Sequence, residues 1–402
     1  MKKLLLLTSS LPPALTGETP ALLNLCRYLP SHGWEPVILS VPPSASVPVD
    51  EGLLRWMPAS IRVDSVPGQP RKNTLPPLLG SLLQLPDSLI SLRKPGLAKC
   101  LETIQRESPR LIMPLTPSQS LNLMARNASK KTGTPMVPYF RSLWAGNPSA
   151  LWSSRLQKLL HRFLESRVVR DAAAIVVTSE GASGYFMQRY PGFCPAIHVT
   201  ENAYDPRRIK PADPLEKGET LRLGWIGGFR GSRSPERVLL GIEEFFRRNP
   251  DDRLRVNHAG HVSRDYEPLM RKMEDRIRIL GLIPYGSVPR FLASRHVLMI
   301  SMSPGKDSHR ANPTVAAECL RTGRAIIAVA PEGDMSQRLR SLGSAYVCPP
   351  DPMMIASTLE DVYDHWRKGM LRTPRDQRKI SEQLDGTVTI KLLAGFLNDV
   401  TG

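Results

Sequence analysis

Glu318 lies six residues beyond Asn312, in a run that passes through Pro313 and Thr314. The run sits between two segments that read as strands, Val297–Ser301 and Gly323–Val329. Asn312-Pro313-Thr314 suits a helix opening, so Glu318 stands inside that helix and not at its cap. A helix start at the carboxyl end of a parallel strand presents unpaired N–H groups and the positive end of the helix dipole to an anion. A carboxylate one turn further on can accept hydrogen bonds from a ribose while the helix end holds phosphates. Together they read as a nucleotide site.

A second group of residues supports the same chemistry. After the predicted strand Leu221–Ile226, Gly227-Gly228 lets the backbone pass close to a ligand. Arg233 precedes a helix that should start near Ser234-Pro235. A guanidinium there can pair with a diphosphate and stabilise charge on a departing nucleotide. Arg230 is a second candidate in the same loop. Other chemistries find less support. His258 and His261 flank Gly260, but no third ligand lies nearby, so they read as a strand-end polar pair and no metal is expected. Five cysteines at 26, 100, 194, 319 and 348 have no ligand spacing and read as buried free thiols of a reducing cytoplasm. No Gly-x-Ser-x-Gly elbow or P-loop is present, and Gly-x-Gly-x-x-Gly is missing after both opening strands.

The elements that must position these residues alternate. Leu4–Thr8, Pro36–Leu39, Leu111–Met113, Met136–Tyr139 and Ile175–Thr178 read as strands of a first domain. Pro20 can open its first helix, where the missing N–H costs nothing. A Pro-rich, charged stretch at 205–220 reads as a linker, and a second sheet begins at Leu221. Strands alternating with helices predict doubly wound parallel sheets, and 402 residues suit about two domains. Val66–Pro95, rich in Pro and Leu, reads as an insertion flanked by Arg71, Lys72, Arg93 and Lys94. The opening Met-Lys-Lys-Leu-Leu-Leu-Leu is too short an apolar run for a secretory signal and reads as a buried strand. A net charge of +17 fits an acidic partner. The basic residues are spread without interleaved aromatics, which favours phosphate-bearing substrates or an anionic membrane surface over nucleic acid.

Seven stretches, in order, resemble one family: the Pro-Pro opening with Tyr28–Pro30 and Gly33–Ser40, Phe140–Pro148, Arg170–Gly181, Asn202–Pro206, Gly224–Glu236, Gly281–Tyr285, and Asn312–Arg324 with the final Val347–Pro352. The chain resembles a GT-B glycosyltransferase of the large retaining class, family 4 in the sequence classification. Within it, the likeness is to a subgroup of bacterial surface-polysaccharide enzymes. The resemblance implies two Rossmann-like domains facing across a cleft. Residues 1–205 would bind the acceptor, 215–370 the nucleotide sugar, and a helix within 371–402 would return to the first domain. It implies transfer from a nucleoside diphosphate sugar with retention, no cofactor or metal, and a glycan, lipid-linked or small-molecule acceptor. The setting implied is cytoplasmic, peripheral at the inner face of the cell membrane. Arg233 and Glu318 would be the catalytic pair; Gly17, Gly227, Gly228, Arg230, Ile283, Pro313 and Thr314 would line the donor site.

Departures from the family pattern qualify this. Arg310 stands where many relatives have a sugar-contacting Glu, Ser142 where the subgroup has Asp, Ala203 for Gly and Val315 for Lys. A degenerate, non-catalytic relative that binds a nucleotide sugar or supports a partner enzyme is the main alternative. A nicotinamide oxidoreductase and a basic membrane adaptor are the others. Glu318→Ala is expected to weaken nucleotide binding with the fold intact.

Overall fold

The structure is a computed structural model. It describes residues 1–43, 47–70, 85–147, 150, 152, 154–229, 234–250, 253–302, 308–310, 312–343, 345–374 and 376–402. The chain forms two compact units. The first comprises Met1–Asn147, Trp152–Glu201 and Gly386–Gly402, and the second contains Asn202–Asp385. The N-terminal part of the first unit therefore runs to Glu201, and the stretch 371–385, expected with the C-terminal helix, belongs to the second unit.

In the first unit β1 (Lys2–Thr8), β2 (Trp34–Ser40), β3 (Arg62–Ser65) and β4 (Leu111–Pro114) form a parallel sheet in the order β3-β2-β1-β4. β5 (Tyr139–Phe140), β6 (Ile175–Val177) and β7 (Ile197–Val199) form another parallel sheet. Parallel bridges Ile112–Met136 and Leu115–Tyr139 join the two. Side chains alternate across a strand, and β1 is apolar on both faces because both are covered. Leu5 and Leu7 pack with Val37, Leu39 and Ile112 on one side. Leu4 and Leu6 pack with Leu22, Ile38 and Met113 on the other, closed by Ile390, Leu393 and Leu397 of the last helix, Gly386–Thr401.

The second unit has one six-stranded parallel sheet of β8 (Leu221–Ile226), β9 (Leu254–Ala259), β10 (Ile277–Ile279), β11 (Val297–Ser301), β12 (Ala325–Val329) and β13 (Ala345–Cys348). Their order is β10-β9-β8-β11-β12-β13. The chain winds outward from β8 in one direction and from β11 in the other, so the switch point lies between these two strands. Trp225, Met299 and Ile327 face a core shared with helices Glu236–Arg248 and Pro352–Arg367. Leu298, Ile300, Ile326 and Ala328 face the other, shared with helices Thr314–Thr322, Asp334–Ser341 and Gln377–Leu384.

Several expectations shift. The segment Val66–Pro95, read as an insertion in the first domain, is packed into that domain's core where it is described. Val66, Leu89 and Leu92 are core residues, and Pro95 lies in the first turn of a helix, Arg93–Glu107. Asp87 caps the turn at Leu89 and accepts hydrogen bonds from Ser118 Oγ and Ser120 Oγ. Arg71 and Lys72 lie outside the described residues; Arg93 and Lys94 are exposed. Among the described residues no helix is long and apolar enough to cross a membrane.

Candidate nucleotide site

In open α/β sheets ligands bind beyond the carboxyl ends of the strands at the switch point. In the second unit those ends carry Gly227-Gly228, after β8, and Pro313-Thr314, after β11. Gly227 has φ +150°, and a Cβ built on it meets no heavy atom within 4 Å, so the glycine keeps a conformation and a space that a side chain would take. Behind it the fit is tight. A Cβ on Gly260 would come within 1.9 Å of the Gly227 carbonyl oxygen, and Gly260 N–H donates to the Gly281 carbonyl at 2.8 Å. The His258 ring donates from Nε2 to the Gly227 carbonyl at 2.9 Å. The loops after β8, β9 and β10 thus brace one another.

His258 is fully buried between Trp225 and Phe229, and that burial lowers its pKa to about 4. It is neutral near pH 7 and serves as a prop for the glycine loop. Among the described residues no group of three or more His, Cys, Asp or Glu could hold a metal ion.

The helix Thr314–Thr322 begins at Pro313 with no side-chain cap, and the start of such a helix carries the positive end of its dipole. The side-chain amide of Asn202 donates to the Asn312 carbonyl and fixes the entry to that helix. Glu318, one turn in, is not a surface carboxylate. It is 5% exposed and forms a buried ion pair with Arg208. Arg208 also stacks on the Tyr285 ring at 3.9 Å and donates to the Tyr285 carbonyl at 3.3 Å. Burial pushes the Glu318 carboxyl up, Arg208 pulls it down, and Asp205 adds to the upward push. This corrects the expectation that Glu318→Ala would spare the fold, because the variant strands a buried guanidinium.

Ile283, part-buried beside the Leu298 core, sits in the loop ending at Tyr285. Gly227, Gly228, Ile283, Pro313, Thr314 and Glu318 all fall in the second unit, and the first three occupy loops that follow its strands. Arg230 and Arg233 lie outside the described residues. Gly17 is in the first unit, exposed in the loop after β1, with nothing within 4 Å of a built Cβ. Arg310 is part-buried in a short turn, Ser308–Arg310, ahead of the Glu318 helix.

Sequence reasoning missed three organising residues. Arg208 was absorbed into a linker, although Tyr204 beside it is buried and hydrogen-bonds Ser381 and Asp385. In the first unit Glu165 and His161 hold the Phe140–Asn147 loop from below. Glu165 accepts from Ala145 N–H at 2.6 Å and from the hydroxyls of Tyr185 and Tyr190. Its burial raises its pKa. His161 Nδ1 accepts from Trp144 Nε1 at 2.8 Å, and burial lowers its pKa to about 4. A helical Glu and His four apart carry no such signal in sequence.

Residues 16–202 match the protein-family model described as Glycosyl transferase 4-like domain. No curated protein matches the chain. Solved structures match nearly all of it. Sucrose-phosphate synthase from Thermosynechococcus elongatus superposes with a TM-score of 0.76 at 13% identity, covering 99% of this chain and 98% of that one. Anabaena HepE in complex with UDP-glucose gives 0.71 at 16% identity, covering 99% and 100%. A UDP-N-acetylglucosamine 2-epimerase gives 0.56 at 12% identity, covering 99% and 96%. The chain has the GT-B fold. Likeness at these identities establishes fold and not chemistry.

Proposed function

We propose that the protein is a glycosyltransferase that moves a sugar from a nucleoside diphosphate sugar to a glycan, lipid-linked or small-molecule acceptor, with retention of configuration. The observation that carries this reading is the switch point of the second sheet, where a glycine pair and an uncapped helix start occupy the carboxyl ends of neighbouring strands. The glycosyltransferase 4-like match over 16–202 favours transfer over epimerisation, which the same fold also hosts. HepE is described in complex with UDP-glucose, so uridine diphosphate sugars are the first donors to test.

The helix start at Thr314 and the glycine loop would hold the diphosphate, and Glu318 would meet the ribose. Arg233, joined by Arg230, would neutralise charge growing on the leaving diphosphate. Gly17 would let the loop after β1 approach the donor. No metal and no cofactor take part in this scheme. Arg93 and Lys94, exposed in the first unit, together with Arg71 and Lys72, fit an acceptor presented at an anionic membrane surface in the cytoplasm.

One observation favours a second reading. Arg310 replaces a family carboxylate and Glu318 is already paired with Arg208, as a binding protein without turnover would tolerate. A thermal-shift panel of nucleoside diphosphates, followed by donor hydrolysis and transfer assays, decides between them. A diphosphate at about 100 times its dissociation constant should stabilise the fold by ~2.7 kcal/mol. Flat melting curves across all bases overturn the donor site; binding without turnover selects the second reading.

A further inference from the structure

Arginines crowd one face of the second sheet. Leu221, Leu223, Leu254, Val256 and Ile277 turn to the core beneath the helices Glu236–Arg248 and Pro352–Arg367. Side chains alternate along a strand, so Arg222 of β8, Arg255 of β9 and Arg278 of β10 fall on the opposite face. Arg222 and Arg255 are in register on neighbouring strands, and Arg278 lies one strand further and two residues along. Arg295, just before β11, lays its stem over Gly224, where a Cβ would come within 2.8 Å of its Cγ. Its guanidinium sits 4.7 Å from the centre of the Phe291 ring.

These four cations have no carboxylate. Among the described residues none of them has an ion pair, whereas the nearby Arg253 pairs with Glu219 and Arg276 with Asp275. His296 does not relieve Arg222. Its Nδ1 accepts from the Arg222 backbone N–H at 3.0 Å and its Nε2 donates to the Glu216 carbonyl at 2.9 Å. The ring therefore offers no lone pair to the Arg222 guanidinium 3.4 Å away. The Nε groups of Arg222 and Arg295 are buried with no hydrogen-bond partner among the described residues. Burial lowers the pKa of Arg295, and the charges of Arg222 and Arg278 lower it further. Arg324, just ahead of β12, is the contrast, since it donates to the carbonyls of Ala293 and Asp213.

We propose that this face binds a compact phosphate-bearing polyanion, of the class of inorganic di- and triphosphates, at a second site apart from the nucleotide loops. Guanidinium forks match phosphate oxygens, and an anion among them would offset their mutual repulsion. Three adjacent strands confine Arg222, Arg255 and Arg278 to about 10 Å, which suits a short phosphate chain better than an extended polymer. Arg222 stands five residues before Gly227, roughly 16 Å along β8, so the anion occupies a different place from a donor diphosphate. Bound there, it would tie together the strands whose far ends carry the braced Gly227, Gly260 and Gly281 loops. The inference stands whether or not the protein turns over a sugar donor.

Calorimetric titration of the full-length protein with inorganic tripolyphosphate at low salt tests it. Arg255 and Arg278 are exposed, so R255Q/R278Q should fold, and without ligand it should melt higher than wild type at low salt. That gain should shrink as salt screens the repulsion. The variant should bind tripolyphosphate about tenfold more weakly or worse, with its nucleoside diphosphate melting shifts unchanged. Arg233→Ala, in the nucleotide loops, should keep the binding that R255Q/R278Q loses. Equal tripolyphosphate affinity in wild type and R255Q/R278Q overturns the inference. Binding lost in Arg233→Ala and kept in R255Q/R278Q overturns it in favour of the nucleotide loops. A single-stranded DNA oligonucleotide that binds more tightly than tripolyphosphate, and is lost in R255Q/R278Q, overturns it in favour of nucleic acid.

Discussion

The carboxylate of Glu318 and the guanidinium of Arg208 pair inside the second unit, where their side chains are 7% and 1% exposed. Arg208 reaches this position from a segment that follows the crossing at Asn202, and it ties the Tyr285 loop to the Glu318 helix. A carboxylate held this way is pre-oriented, and its position depends on a residue more than a hundred positions earlier in the chain.

Breaking the pair should cost more than binding. Glu318→Ala leaves a buried charge uncompensated, and the unfolding free energy should fall by about 3–5 kcal/mol. The double variant R208M/E318L should recover most of that loss and still fail to bind nucleotide. Urea denaturation beside nucleotide titration separates the two effects. Equal stability of Glu318→Ala and wild type would refute the pairing.

Gly260 should be as sensitive as any residue near the nucleotide. A Cβ there collides with the Gly227 carbonyl, and φ is +154°. Gly260→Ala should destabilise the protein by at least ~1–3 kcal/mol and lower nucleotide affinity with it. Calorimetric melting and a nucleoside diphosphate titration check both; a variant with wild-type affinity would detach this loop from the site.

Arg233 should matter to rate above affinity. In the proposed scheme its charge would oppose the one developing on the leaving diphosphate, so Arg233→Ala should slow transfer or donor hydrolysis by roughly 100-fold or more. Nucleoside diphosphate affinity should change far less. Unaltered turnover in the variant removes the assignment.

Acid should weaken the second unit through His258. Its folded pKa, about 4, lies below the ordinary 6.5, because burial excludes the charged ring. Between these values the unfolded chain takes up a proton that the native state refuses. Stability contributed by this group is therefore complete above pH 6.5 and declines as pH falls towards 4, by about 3 kcal/mol in all. His161 adds a similar slope in the first unit. His258→Gln should flatten its share of the acid limb in melting temperature against pH, and an unchanged limb would count against it.

What was legible in the sequence follows from burial. Strands covered on both faces, such as Leu4–Leu7 and Ala325–Val329, announce themselves as apolar runs, and β8 and β11 have the ends expected of them. β3 was not read because Arg62–Ser65 is exposed or half-exposed along its length, and β10 because Ile277–Ile279 is three residues with a central arginine. Glu318, Gly227 and Gly228 lie on the helix and the post-strand turn expected of them, because helix starts and glycine turns have local signatures. Arg208, Glu165 and His161 were not, since each acts on a partner brought near only by the tertiary fold. The exposed apolar stripe on the helix Arg155–Asp171 was equally hidden. Leu156, Leu159 and Phe163 have the spacing of a core face, and only packing reveals that the core lies on the other side.

The last helix, Gly386–Thr401, completes the core begun by β1, while Asn202–Asp385 form the second unit in between. The two ends of that intervening stretch are adjacent: Tyr204 N–H donates to the Leu384 carbonyl at 3.1 Å, and Tyr204 bridges Asp385. The core of the first unit is therefore incomplete until Ile390, Leu393 and Leu397 join it from beyond the second unit. Leu22 and Leu25 should stay uncovered on a nascent chain until that helix has been added.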